Sequence, residues 1–471
     1  MRGLVWFRRD LRVHDHPALT TALAECKEVL PLFVFDAPLL QSQTFGAPCV
    51  NFLLGCLKEL GDELDARGLR LTWRRGDPVE AVVKMARDAR VDVVYWNRDY
   101  EPSAVERDQA VTQALAAFRI PARTFKDHVV FEAGEILSGA GTPLQRYGAY
   151  RTRWWAQWHA AAPAVLPPPA RRARPGIKTL LELPTPDELG YALLPPSFSA
   201  GETAARRRLR WFLNGPIKDY AIGRNRPAMD GTSTLSPHFR FGTLSAKSAV
   251  HTALAVGAAR DATWRTGIRT WVDELVWRDF FQQIVASFPR VANRSFRPNT
   301  DAPRPRKDAR LLKAWQEGRT GFPLVDAGMR QLNRTGWMHN RVRMVVASFL
   351  VKDLRLDWRQ GERYFMKHLL DADLAANNGN WQWCASTGTD AMPSYRIFNP
   401  TLQAKKFDPD GDYIRTHVPE LRSLPTKLIH QPEIMSADDQ DRYNCRLDHD
   451  YPRPVVDHAR ARNEYLLGTH R

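Results

Sequence analysis

Residues 29–74, VLPLFVFDAPLLQSQTFGAPCVNFLLGCLKELGDELDARGLRLTWR, read as strand, helix, strand. Val29–Asp36 is almost continuously apolar and rich in aromatic and branched side chains, the character of a strand buried on both faces. Cys49–Arg67 spaces its apolar residues as a helix does, and Leu69–Arg74 returns to a short strand. Parallel strands need a crossover of this length, so the stretch is a βαβ unit. More of the same surrounds it: Gly3–Phe7 before, then a helical Val79–Ala89 and the strand-like Val91–Asn97 and Ala122–Lys126. The pattern predicts a doubly wound parallel sheet of Rossmann-like type, with a ligand crevice at the carboxyl ends of its strands. No G-x-G-x-x-G follows the first strand and no P-loop sequence occurs, so neither a dinucleotide nor an ATPase reading is supported.

Beyond Gly139 the alternation dissolves into Pro- and Arg-rich sequence up to Gly201, interrupted by Tyr147–Trp158 (YGAYRTRWWAQW), whose aromatics fall at helical spacing. After Gly201 the segments Ser245–Ala258, Trp264–Phe288, Ala327–Leu332 and Asn340–Asp353 have helical periodicity, and strand signals are few. The expected organisation is an α/β domain over 1–135, a connector over 136–200 and an all-α domain over 201–471. Lys and Arg number 68 against 52 Asp and Glu, a net charge of +16 that concentrates polyanions and makes nucleic acid a candidate partner. Five widely spaced cysteines without a C-x-x-C pair fit buried thiols in a reducing compartment and no structural zinc. The N-terminus breaks its apolar run with arginines, unlike a signal peptide, and no run is long enough to span a bilayer. A soluble cytoplasmic protein with no membrane partner is expected, monomeric because no self-complementary apolar surface is evident.

Polar residues that a helix core does not want sit among aromatics in the second half. Trp271, Glu274 and Arg278 share one helix face, with Trp277 beside Glu274. That face reads either as an amphipathic surface with a Glu274–Arg278 pair or as the wall of a polar site. Asn340 and Met344 are i, i+4 neighbours, and Asp371, Asp373, Asn377, Trp381 and Trp383 crowd one stretch. The acids and amides lack both EF-hand spacing and a histidine, so no metal is assigned. The run Thr232, Ser233, Thr234, Leu235, Ser236 after Gly231 is either a phosphate-binding turn or a helix cap.

Taken together, these segments resemble the photolyase/cryptochrome family along the whole chain. The resemblance rests on WFRRDLRVHDHPAL (6–19), DGTSTLSPHFRFG (230–242), DELVWRDFF (273–281), AWQEGRTGFPLVDAGMRQL (314–332), TGWMHNRVRM (335–344), DADLAANNGNWQW (371–383) and RIFNPTLQAKKFDPDGDYIR (396–415). It is most similar to the class I cyclobutane pyrimidine dimer photolyases. The family implies an α/β antenna domain, a helical FAD-binding domain, and light-dependent repair by electron transfer from reduced FAD to a flipped-out dimer in damaged DNA, giving an association with the nucleoid.

By matching positions, Tyr220 and Thr232–Ser236 hold the FAD phosphates, and Trp271, Arg278, Asn340, Asp371, Asp373 and Asn377 contact the cofactor, Asn377 nearest flavin N5. Glu274 hydrogen-bonds the dimer, Trp277 and Trp383 wall its pocket, and Asn340 and Met344 line it. Arg224, Arg226, Trp277, Arg341, Arg396 and Lys405 are the candidate DNA contacts. Asn340 and Met344 stand where (6-4) photolyases carry histidines, and DASH cryptochromes carry glutamine at the Met344 position, which points to cyclobutane dimers. The alternative within the family is a cryptochrome-type blue-light photoreceptor.

Two positions depart from the pattern. Trp381 and Trp358 match the proximal and middle tryptophans of the family's electron-transfer chain, but Pro305 occupies the distal position. The Asn-Glu pair that grips 5,10-methenyltetrahydrofolate in some relatives aligns with Ser103 and Ala104. Folate, a deazaflavin or an empty antenna crevice all remain, with folate preferred as the common bacterial choice.

Overall fold

The computed structural model describes residues 1–42, 44–170, 182–297 and 303–468; residues 171–181 of the expected connector and part of the 297–309 stretch lie outside these. Five strands, β1 (Arg2–Phe7), β2 (Glu28–Asp36), β3 (Thr72–Gly76), β4 (Val93–Asn97) and β5 (Ala122–Phe125), form one sheet in the order β3-β2-β1-β4-β5. Every neighbouring pair is parallel, with Gly3 opposite both Val29 and Val93. One face is sealed by Leu4, Trp6, Leu32, Val34, Val94 and Trp96 against Val82, Ala86, Val111 and Leu115 of the Pro78–Asp88 and Pro102–Ala116 helices. The third strand starts three residues later than the apolar pattern suggests. Gly68 adopts a left-handed conformation (φ 74°) and the Leu69 N–H closes back on the Leu64 carbonyl, so these residues finish the preceding helix.

The chain divides into two compact units, Met1–Lys218 with Ser233–Ala292 and Leu370–Ala375, and Asp219–Thr232 with Asn293–Leu369 and Ala376–Arg471. The first unit holds the sheet and the helices Tyr147–Ala161, Glu202–Asn214, Ser236–Phe241, Ala246–Ala258 and Ala262–Ser287. The aromatics at helical spacing in the connector form the Tyr147–Ala161 helix, whose Trp154 packs edge-on to Phe131 and donates to the Asp279 carboxylate at 3.0 Å. The second unit is built from helices including Ala309–Glu317, Pro323–Thr335, Asn340–Ser348, Trp358–His368, Pro400–Phe407 and His458–Gly468. The periodicity of Asn340–Asp353 is continuous in sequence, but its last turn, Phe349–Asp353, is π-helical. All five cysteines are buried, and among the described residues no helix is long and apolar enough to cross a membrane.

Two glycines are structural necessities. Gly242 ends the Ser236–Phe241 helix in the left-handed region (φ 64°), and a Cβ there would overlap the Arg9 carbonyl. Gly361 lies under the Trp381 indole, and a Cβ would overlap its six-membered ring. Gly242→Ala combines backbone strain with a backbone clash, so chemical denaturation should show a loss of about 2–4 kcal/mol.

Candidate functional site

Arg9 follows β1 and Asp99 follows β4, so both stand at the carboxyl edge where the strand order reverses. A ligand crevice is expected along this edge, and the Arg9 guanidinium lies at it. It pairs with Asp99 at 3.4 Å, with Glu101, and with Asp373 of the Leu370–Ala375 segment. Arg278, on the Ala262–Ser287 helix, donates to the His128 carbonyl at 2.6 Å, and its guanidinium lies 2.7 Å from His128 Nε2, which is also 3.0 Å from Arg9. One turn further, Gln282 donates to both Asp373 oxygens at 3.2 Å. Arg240 donates to the Ala372 carbonyl. The segment carrying Asp371 and Asp373 is thus gripped by side chains from the sheet edge and from two helices.

The charges in this cluster set one another. Burial alone would raise the Asp373 carboxyl, but Arg9, His128 and Arg240 hold it well below the usual carboxylate range. Burial, reinforced by Arg278 and Arg9, pushes His128 down to about 3, so the ring is neutral at ordinary pH. Burial also opposes the Arg9 charge, but Asp99, Glu101 and Asp373 more than restore it.

In the same unit the Ser233 carbonyl accepts from Arg208 at 3.0 Å, and the Ser233 hydroxyl accepts from Trp271 Nε1 at 3.2 Å. Thr234 takes a left-handed conformation (φ 50°), Leu235 is buried, and Ser236 is exposed at the start of its short helix. Glu274, Trp277 and Arg278 are only partly covered. Trp277 stacks on Tyr147 with ring centroids 3.5 Å apart and planes 8° from parallel, which fixes the indole before any ligand arrives.

The second unit carries the remaining candidates. Tyr220 is buried, with the Arg224 guanidinium 5.9 Å from its ring centroid, and Gly223 and Gly231 bring their backbones together, a Cβ on Gly231 falling 3.2 Å from the Gly223 Cα. Asn225 accepts from Arg341 at 2.6 and 3.1 Å, bringing Arg341 to the stretch that holds Arg224 and Arg226. Arg341 also reaches the Met344 sulfur at 3.5 Å. Asn340 is exposed at the start of its helix, Thr232 and Trp383 are partly exposed, and Arg396 and Lys405 are exposed, Lys405 donating to Gln431 at 2.7 Å.

Asn377 is buried and its amide nitrogen donates to the Glu362 carbonyl at 3.0 Å. That bond engages the amide nitrogen and leaves the side-chain oxygen as an acceptor. The neighbouring Asn378 donates to the Glu362 carboxylate at 2.9 Å, so Glu362 orients both amides. Trp381 packs edge-on against Phe365 at 5.0 Å and Trp315 at 6.1 Å, and Trp315 in turn meets Tyr364 at 5.6 Å. Trp358 is buried beneath the Arg359 guanidinium.

Residues 3–170 match the DNA photolyase family and residues 271–470 match the FAD binding domain of DNA photolyase. A deoxyribodipyrimidine photo-lyase from Synechococcus sp. is 41% identical over 98% of this chain and 95% of its own length. The chain belongs to the DNA photolyase family. Among solved structures, a bacterial class III photolyase from Agrobacterium tumefaciens superposes with a TM-score of 0.90 at 36% identity, covering 100% of this chain and 97% of its own. A cryptochrome from Synechocystis sp. superposes at 0.89 with 29% identity, covering 99% of each chain.

The residues of this photolyase-family chain fit FAD, the cofactor of its matched domain. Asn377 offers an uncharged amide with its nitrogen engaged by Glu362 and its oxygen left as an acceptor, which suits the N–H donors of a reduced flavin and adds no repulsion against its anionic form. The close approach of Gly223 and Gly231 leaves little room for a side chain on either, beside the buried Tyr220. Arg9, His128, Gln282 and Glu362 escape a reading by motif because each acts through contacts distant in sequence. The acid-flanked arginines of FRRDLR were the available signal for Arg9. Between pH 6.5 and about 3 the unfolded chain binds a proton that folded His128 refuses, so stability falls as pH falls through that window. In His128→Gln the acid limb of a stability-against-pH curve should lose a slope of about 1.4 kcal/mol per pH unit.

Proposed function

We propose that the protein repairs cyclobutane pyrimidine dimers in DNA, using light absorbed by reduced FAD. The observation that supports this reading is Asn377, a buried amide whose nitrogen is engaged by the Glu362 carbonyl, leaving an oxygen able to accept from the N5–H of a reduced flavin. Reduced FAD, when bound, supplies the photoexcited electron that opens the cyclobutane ring and receives it back. The chain's own residues bind, orient and exclude. Tyr220, Thr232–Ser236 and Trp271 hold the cofactor's phosphate side, while Arg278, Asn340, Asp371 and Asp373 hold its remaining polar groups. Trp277, braced by Tyr147, and Trp383 serve as aromatic walls for the flipped dimer, and Asn340 and Met344 line its pocket. Glu274 donates to a dimer carbonyl in its protonated form and steadies the negative charge that develops there. Arg224, Arg226 and Arg341, gathered through Asn225, bind the flanking phosphates with Arg396 and Lys405.

The route for reducing oxidised FAD begins at Trp381. With Pro305 in the distal position, the ring contacts from Trp381 to Trp315 and on to Tyr364 offer an exit besides Trp358. At the antenna position Ser103 is exposed and Ala104 buried, so neither supplies the paired amide and carboxylate that hold folate in relatives. The resemblance to the Synechocystis cryptochrome carries the second reading, a blue-light photoreceptor.

Purified protein reduced with dithionite should restore absorbance near 260 nm in a thymine-dimer oligonucleotide under blue or near-ultraviolet light and not in darkness. Glu274→Ala should lower the yield of repair per absorbed photon at least about threefold, because the hydrogen bond to the developing negative charge is lost. Failure of the reduced holoprotein to repair at all would select the photoreceptor reading. Trp381→Phe should abolish light-driven reduction of oxidised flavin by an external thiol, followed at 450 nm, and leave repair by the pre-reduced enzyme intact.

A further inference from the structure

Lys352 is fully buried, within the π-helical turn Phe349–Asp353 of the second unit. A buried ammonium is tolerated only where its N–H groups are filled, and here they are over-filled. It donates to the Ser386 hydroxyl at 3.2 Å and to the carbonyls of Ser394 and Arg396 at 3.2 and 2.9 Å, with the Pro393 carbonyl at 3.4 Å. Three of these acceptors belong to one turn, which the Arg396 N–H closes onto the Pro393 carbonyl at 3.0 Å. The segment leading into the turn is tied to the Trp383 carbonyl by the Met392 N–H at 3.3 Å.

The turn presents its side chains outward. Tyr395 is 71% exposed and Arg396 is exposed beside it. An unsupported aromatic next to an arginine is the pairing that stacks on a base and holds a phosphate. The Arg396 guanidinium lies 5.7 Å from the Phe398 ring centroid, and both side chains take their position from the backbone of the turn beneath. We propose that Lys352 is a positioning residue for damaged DNA, its ammonium pinning the Pro393–Arg396 turn so that Tyr395 and Arg396 meet the strand in register. This rests on the DNA-repair reading above and adds to it a residue that never touches the substrate.

The pin is titratable. Its surroundings are Asp353 on its own element, which is paired with His458, the Cys384 thiol, the Arg396 guanidinium and the Tyr465 ring at 5.6 Å. Burial lowers the Lys352 pKa to about 8, with Arg396 acting in the same direction and Cys384 and Asp353 against it. Above that pH the neutral amine keeps two N–H donors and turns a lone pair toward the carbonyls, so the turn loosens. Below it the grip is complete. The nearby Asp353, raised by burial to about 6, has finished titrating before this window opens.

The test is dark binding of the FAD-loaded protein to a fluorescent duplex with one thymine dimer, against the undamaged duplex, from pH 7 to 9.5. Wild type should lose affinity about fivefold to tenfold around pH 8, as expected when one phosphate contact is released. Lys352→Met should bind about fivefold to tenfold more weakly at pH 7, show no step at pH 8, and be non-additive with Arg396→Ala while additive with Lys405→Ala. If Lys352→Met does not fold, the double variant Tyr395→Ala/Arg396→Ala should abolish the pH step. A step that persists in that double variant, or full additivity of Lys352→Met with it, overturns the positioning role and leaves the repair reading standing. A wild type that shows no preference for dimer DNA at any pH overturns the repair reading itself, and this inference with it.

Discussion

The buried guanidinium of Arg9 is the charge around which the first unit is arranged. Three carboxylates from the β4 loop and the Leu370–Ala375 segment converge on it, and each would lose its nearest cation without it. Breaking such a cluster by removing its centre is far more destabilising than never having built it. At the switch point of the doubly wound sheet, Arg9 ties the β4 loop to the Leu370–Ala375 segment, so the sheet edge holds the stretch of chain that carries Asp371 and Asp373. A second arginine, Arg278, completes the arrangement by fixing His128 in its neutral form between the two cations.

Much of this was legible in the residues. The βαβ pattern, the change to helical periodicity after Gly201 and the aromatic helix in the connector all reflect local spacing, and the structure contains them. The third strand was placed too early because apolar character marks burial and says nothing of where a helix lets go; the left-handed Gly68 decides that. The acids and amides of DADLAANNGNWQW were conspicuous because a helix core excludes them unless they serve something. Arg9, His128, Glu362 and Lys352 were not, since a lone arginine, histidine, glutamate or lysine in a basic chain looks like surface. Only contacts spanning tens to hundreds of residues reveal that they are buried, and no local pattern encodes those contacts.

The second unit shows a different economy. Glycine, not charge, makes room for a large side chain here: a Cβ on Gly361 would overlap the Trp381 ring, which packs edge-on against Phe365 and Trp315 within a cluster of aromatic neighbours. Glu362, on the same helix as Gly361, orients Asn377 and Asn378, so one helical turn sets both the ring and the amides.

The Tyr147–Trp277 stack and the bond from Trp154 to Asp279 join the aromatic connector helix to the long Ala262–Ser287 helix, while Asp279 accepts from the amides of Val130 and Phe131 just beyond the sheet. Chain continuity is therefore redundant in this unit. A backbone cut anywhere between residues 162 and 201 would leave an N-terminal fragment still fastened to the helix that carries Glu274 and Trp277, so the protein could be nicked, or supplied as two polypeptides, and remain one particle.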